Sequence, residues 1–320
     1  MGDRHTLFAW AERGAIADLR AALGAAGVLP DARDWRDFLD RLLLWSGAAA
    51  LAAGVVFFVA YNWNDLGKYA KFGLVELLVV GGVLGYWRFS PERATGKASL
   101  LVASILLGAL LALFGQTYQT GADTWELFAN WAGLILPWVI VGRFAGLWML
   151  WIAIANAAIV FYFLVFPGLL GMLFSTERQL WTLFVFNTSA LVVWELAARR
   201  IDWLGERWAP RLLATASGAI VTFLVLLLIV DWREVSGIAS VVYLAWLGCA
   251  LAAYRVKGRD VLILAGGCLS IIVVVTTFLG KNLLSGRGEA GAFLFISLAV
   301  IAMGAASGWW LKRVANEERV

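Results

Sequence analysis

Apolar residues in this chain gather into ten long runs rather than into alternating or short stretches. The runs are Leu42–Tyr61, Phe72–Trp87, Ala98–Gln116, Thr124–Val141, Ala145–Phe166, Leu180–Leu196, Leu212–Val230, Gly237–Tyr254, Val261–Leu279 and Ala292–Leu311. A helix rising about 1.5 Å per residue needs roughly 20 residues to cross a hydrocarbon core of about 30 Å, and each run approaches that length. In lipid only a helix satisfies its own backbone donors and acceptors, so the pattern predicts helices throughout. The expected fold is all-α: a polytopic membrane helix bundle of about ten transmembrane helices. Pro137 in the fourth run leaves a kinked or partly re-entrant course open there.

The segment ahead of the first run has a different period. Thr6 is placed to cap a helix in which Ile16, Leu19 and Leu23 recur at helical spacing, ending at Gly24 or Gly27. Asp31 is placed to cap a second, in which Trp35, Phe38, Leu39 and Leu42 share a face and lead into the first span. This divides the chain into a cytoplasmic amphipathic segment (1–41), a first membrane half (42–166) and a second membrane half with a short tail (167–320). The N-terminal segment is expected to lie on the bundle or bilayer surface, or to dock a protein partner. Its six basic and seven acidic residues give no net pull toward anionic lipid.

Composition agrees with lipid as the solvent. Hydrophobic residues make up 62% and charged residues 15% of the 320, against about 45–50% and about 25% in soluble domains. One histidine (His5) and two cysteines inside apolar runs (Cys249, Cys268) offer no metal site, no disulfide framework and no cofactor chemistry. The net charge of +4 does not point to nucleic acid, because the basic residues follow the topology. Of the 26 Lys and Arg, twenty fall in the two termini and the even-numbered loops, and six in the odd-numbered loops. The positive-inside rule then puts both termini in the cytoplasm.

On the opposite face two loops are rich in polar groups. "AYNWNDLGKYAKFGLVE" joins spans one and two and brings Asn62, Asn64, Asp65, Lys68, Lys71 and Glu76. "GQTYQTGADTWELFAN" joins spans three and four and brings Gln116, Tyr118, Gln119, Asp123, Glu126 and Asn130. Hydrogen-bonding groups at helix ends in lipid need partners, and these loops offer donors, acceptors and both signs of charge. They are expected to form one ligand-binding patch, with Glu76 and Gln116 turned inward and Asp65, Lys68, Tyr118, Gln119, Asp123 and Glu126 around its rim. Gln116 and Asn130, with Asn156 and Asn187 near mid-membrane, are also suited to stitching helices together. Gly81-x-x-x-Gly85 and Gly304-x-x-x-Gly308 are expected to allow close helix packing. "TGKAS" at 95–99 lacks the upstream glycine of a phosphate loop and carries Ala after the lysine, so it is set aside.

The two outer-loop stretches, with "GVLP" before the helix that runs into span one, resemble the bacterial predicted membrane proteins carrying domain of unknown function 2157. The resemblance covers about residues 7–160 and implies a multi-pass protein of the bacterial inner membrane. It implies no activity, substrate or catalytic residue. Three classes of function are left. A transporter-like or ligand-binding protein would take a small polar or ionic ligand into the outer patch. A sensor or membrane-assembly factor would signal through the N-terminal helices. A membrane enzyme would need Asp65, Glu76, Asp123 or Glu126 as acid or base and Lys68 for an anion, and no catalytic spacing supports it.

Overall fold

The computed structural model describes residues 3–16, 18–26, 29–30, 32–61, 67–165, 176–231, 235–256, 260–284 and 289–317. Among them lie twelve α-helices and no strand. They are α1 (Asp3–Glu12), α2 (Leu19–Ala25), α3 (Ala32–Tyr61), α4 (Lys68–Arg88), α5 (Ala94–Tyr118), α6 (Thr124–Gly142), α7 (Ala145–Val165), α8 (Thr176–Ala197), α9 (Trp208–Val230), α10 (Ile238–Val256), α11 (Val261–Leu283) and α12 (Glu289–Glu317). Ten of these, α3 to α12, are long and apolar enough to cross a membrane. Each expected run falls on one of them to within a residue, and α6 passes through Pro137 as one helix. The protein is a multi-pass membrane protein whose apolar outer faces contact lipid.

The N-terminal segment departs from its expected course. The first helix is already under way at Thr6, and Ile16, Leu19 and Leu23 do not share one helix. Gly14 adopts φ +71°, which ends α1, and the Asp18 carboxylate then caps α2 by accepting from the Arg20 and Ala21 N–H groups at 2.9 and 3.0 Å. Asp31 lies outside the described residues. The helix after it does run unbroken into the first span, 30 residues in all. Trp35, Phe38, Leu39 and Leu42 are all exposed along it.

The chain divides into two compact units, Met1–Val165 and Phe166–Val320. In the first, α5 packs against α3, α4 and α6, and α7 covers α6. Glycine sets how closely α4 and α5 approach. A Cβ on Gly82 would sit 2.9 Å from the Ala103 Cβ, and one on Gly96 only 2.3 Å from the Ser90 carbonyl. The expected pair Gly81/Gly85 is thus half right. Gly81 faces open space and Gly82 makes the contact, while Gly304 and Gly308 meet nothing among the described residues. Periodicity gave the spacing of small residues but not which of two neighbours points at the next helix. Gly108 receives the Trp131 ring, whose Nε1–H donates to the Ser104 carbonyl at 2.8 Å.

The second unit is centred on α9, which packs against α8, α10 and α11. Hydroxyl pairs cross its interfaces: Thr188 with Ser217 at 2.5 Å, and Ser270 with both Thr222 (2.7 Å) and Tyr243 (2.9 Å). Lipid does not compete for such groups, so short interhelical bonds specify register where apolar contact alone would let helices slide. Gln116 and Asn130 are exposed and take no part, so serine, threonine and tryptophan stitch the helices instead. Asn156 and Asn187 each donate to the carbonyl four residues back in their own helix, at 2.8 Å.

Candidate functional site

The polar residues of the two loops are placed as follows. Asn62, Asn64 and Asp65 lie outside the described residues. Lys68 opens α4 and is exposed, with its Nζ 5.1 Å from the centre of the Tyr69 ring. One turn on, Lys71 is buried and engaged. Phe72 meets Tyr118 with ring centres 5.9 Å apart, so the end of α4 bearing Lys68 and the end of α5 bearing Tyr118 are side by side. Glu76 and Gln116 are exposed, not turned inward. Gln119 ends α5 in the left-handed region (φ +45°), a conformation that costs a side-chain-bearing residue about 1–2 kcal/mol. Asp123 and Glu126 form a capping box on α6, in which Glu126 Oε2 accepts from the Asp123 N–H at 3.2 Å. Both carboxylates therefore have a structural task. Asn130 is exposed on α6. None of the described ones lines either of the two cavities of the second unit.

A concave site with charged residues at one end lies in the second unit. Between α8 and α10 is a cavity of about 600 Å³, within the usual range for small-molecule sites. Leu191, Val192 and Leu196 of α8 form one wall, and Ala250 and Ala253 of α10 the other. Trp246 and Thr188 close the deep end. The shallow end is charged, with Glu195, Arg199, Arg207 and Tyr254.

Local folding explains why these charges converge. After α8 the chain makes a short turn, Asp202–Leu204, held by the buried Trp194, whose Nε1–H donates to the Leu204 carbonyl at 3.2 Å. The turn brings Arg207 back over α8, where its Nη1 lies 3.1 Å from Glu195 Oε1. The Tyr254 hydroxyl donates to the same oxygen at 2.9 Å, and the Arg207 guanidinium lies 5.8 Å from the Tyr254 ring centre. Behind them Asp260 is buried. Its Oδ2 accepts from Arg211 Nε at 2.8 Å and Arg207 Nη2 at 3.4 Å, while its Oδ1 accepts from the Leu262 N–H and caps α11. Arg207 is thus fixed from two sides.

Arg199 is different. It lines the cavity, is exposed, and makes none of the ion pairs among the described residues. With Glu195 already shared by Arg207 and Tyr254, the charged end offers an available guanidinium and no available carboxylate. Chemically, the site suits a ligand with an apolar body and an anionic end. No group of His, Cys, Asp and Glu able to hold a metal occurs among the described residues. Neighbouring residues in sequence gave no sign of the site, because its polar members are spread from 188 to 254 across two helices and the connection after α8.

No curated protein and no solved structure matches the chain significantly. A family model does match, over residues 9–148, and its end inside α7 leaves the α8–α10 cavity outside the matched region. The family's description, a predicted membrane protein, agrees with the helices that the match spans, and over residues 9–148 the chain is similar to that family, DUF2157.

Proposed function

We propose that the protein is a non-catalytic, ligand-binding membrane protein, and that its ligand is a single-chain anionic amphiphile of the fatty-acid type held between α8 and α10. One observation carries this function: an apolar cavity of about 600 Å³ that ends at Arg199, an arginine with no ion pair among the described residues. The carboxylate would meet Arg199 beside the fixed Arg207, and the alkyl chain would lie along Leu191, Val192 and Ala250. Arginine presents a planar fork that matches a carboxylate, and a charge-assisted pair is about twice as strong as a neutral one.

Laurate is the probe. Its binding to the detergent-purified protein, measured by native mass spectrometry or radioligand retention, should fall about tenfold in Arg199→Gln, equivalent to about 1.4 kcal/mol. Ala253→Phe, which fills the shallow end from an exposed position, should abolish it. Equal binding of laurate and uncharged dodecanol, unaffected by either substitution, would remove the case for an anion site.

In the same proposal both termini are cytoplasmic and the membrane is the bacterial inner membrane, supported by the bias of basic residues toward the even-numbered loops. Arg199 and Arg207 then sit at the cytoplasmic leaflet, and the outer residues Lys68, Tyr118 and Gln119 at the periplasmic one. Reporter fusions after Arg93 and Arg207 should read cytoplasm, and a fusion after Thr120 periplasm. A cytoplasmic signal at Thr120 would reverse the assignment.

A further inference from the structure

A second cavity, of about 310 Å³, lies between α9 and α11 and is lined by Thr222 and Ser270. Trp246 lines both this space and the larger one. Its indole rests on α9 at Gly218, where a Cβ would come within 2.7 Å of the ring's Cη2. The glycine therefore provides the clearance that lets a large ring cross from α10 to α9 at that level. On the far side, the Ser270 hydroxyl is held by Thr222 and Tyr243, so its hydrogen-bonding capacity is directed at neighbouring helices. The second cavity is thereby left mainly apolar.

We propose that Trp246 is the specificity-determining residue of the site, a partition that sets how long an alkyl chain the protein accepts. This rests on the proposed binding of an anionic amphiphile. With the head at Arg199, a chain runs down the α8–α10 cavity until it meets the indole. Trp246 lies seven residues before Ala253 on α10, roughly 10 Å along the helix. A longer chain has to bend or leave its terminal carbons in the bilayer, although apolar space lies directly behind the ring. Removing the ring joins the two spaces.

The test is a competition among octanoate, laurate and palmitate on the full-length purified protein. Wild type should prefer laurate to palmitate, and Trp246→Ala should shift the palmitate-to-laurate ratio at least tenfold toward palmitate. Trp246→Leu, which keeps an apolar side chain of intermediate size in the α9–α10 interface, should shift it in the same direction by less. It also serves where the alanine variant does not fold. Arg199→Gln should weaken all three acids together and leave their ratio unchanged. If wild type binds the acids but the ratio is the same in both Trp246 variants, the partition is wrong while the binding site stands. If wild type binds none of them, the binding proposal itself fails.

Discussion

Replacing Gly96 by alanine is expected to unfold the hairpin of α4 and α5, costing about 3 kcal/mol or more. The added methyl would lie 2.3 Å from the Ser90 carbonyl oxygen and 3.1 Å from that of Tyr86, both backbone atoms. A crowded side chain can rotate away, so overpacking a core usually costs about 1–3 kcal/mol. Here neither side can yield without shifting a helix. Ser90 already holds φ +75° to make the turn, which leaves the connection little freedom to adjust. Gly81→Ala is the control, because its methyl would meet nothing within 4 Å and alanine favours a helix. In thermal unfolding of the purified protein, Gly96→Ala should be strongly destabilised or unrecoverable and Gly81→Ala near wild type. Equal stability of the two would mean that α4 and α5 are further apart than described.

The second large effect is expected at Asp260. Its carboxylate side chain is 2% exposed and joins Arg207, Arg211 and the first turn of α11. Asp260→Ala removes two charge-assisted bonds and a cap at once, and should cost about 2–4 kcal/mol. The upper end of the range for a broken buried pair does not apply, because the arginines left behind are 37% and 42% exposed and can reach water. Asp260→Asn keeps the cap and the volume and should lose about half as much. If both variants melt with wild type, Asp260 does not join α9 to α11 in the folded protein. The same substitution releases Arg207 from behind, so the wall of the cavity loosens together with the helix junction.

The span pattern was legible in the sequence because each helix must carry its own hydrophobic length through lipid. The existence and order of α3 to α12 follow from that one requirement, whereas α3 begins ten residues ahead of its run and α12 ends six residues past its own. What a residue faces was less legible. Glu76 belongs to α4, as its position predicts, but neither sequence spacing nor charge indicates that it lies on the exposed side. Gly81 and Gly82 are adjacent and chemically identical, and only the position of Ala103 on α5 distinguishes them. Asp123 and Glu126 have the capping-box spacing, yet they also read as acids available to a ligand until the α6 N-terminus is seen. The cavity was the least legible feature. Arg207 and Asp260 look like ordinary loop charges on the basic side and Glu195 like the polar end of the sixth run, and their convergence depends on Trp194 folding the short turn back over α8. Polar groups of the two loops are concentrated in sequence and so drew the functional expectation to the first unit, whereas the concave site is dispersed in the second.

Mapping where a photoreactive fatty acid attaches tests the central claim most directly. A diazirine-bearing laurate, irradiated on the purified full-length protein and located by peptide mass spectrometry, should label α8 around Leu191–Leu196 and α10 around Trp246–Ala253. Excess unmodified laurate should suppress that labelling, and Ala253→Phe should remove it. Labelling spread evenly over the exposed faces of α3, α4 and α12, and unaffected by competitor or by Ala253→Phe, would contradict a specific site between α8 and α10.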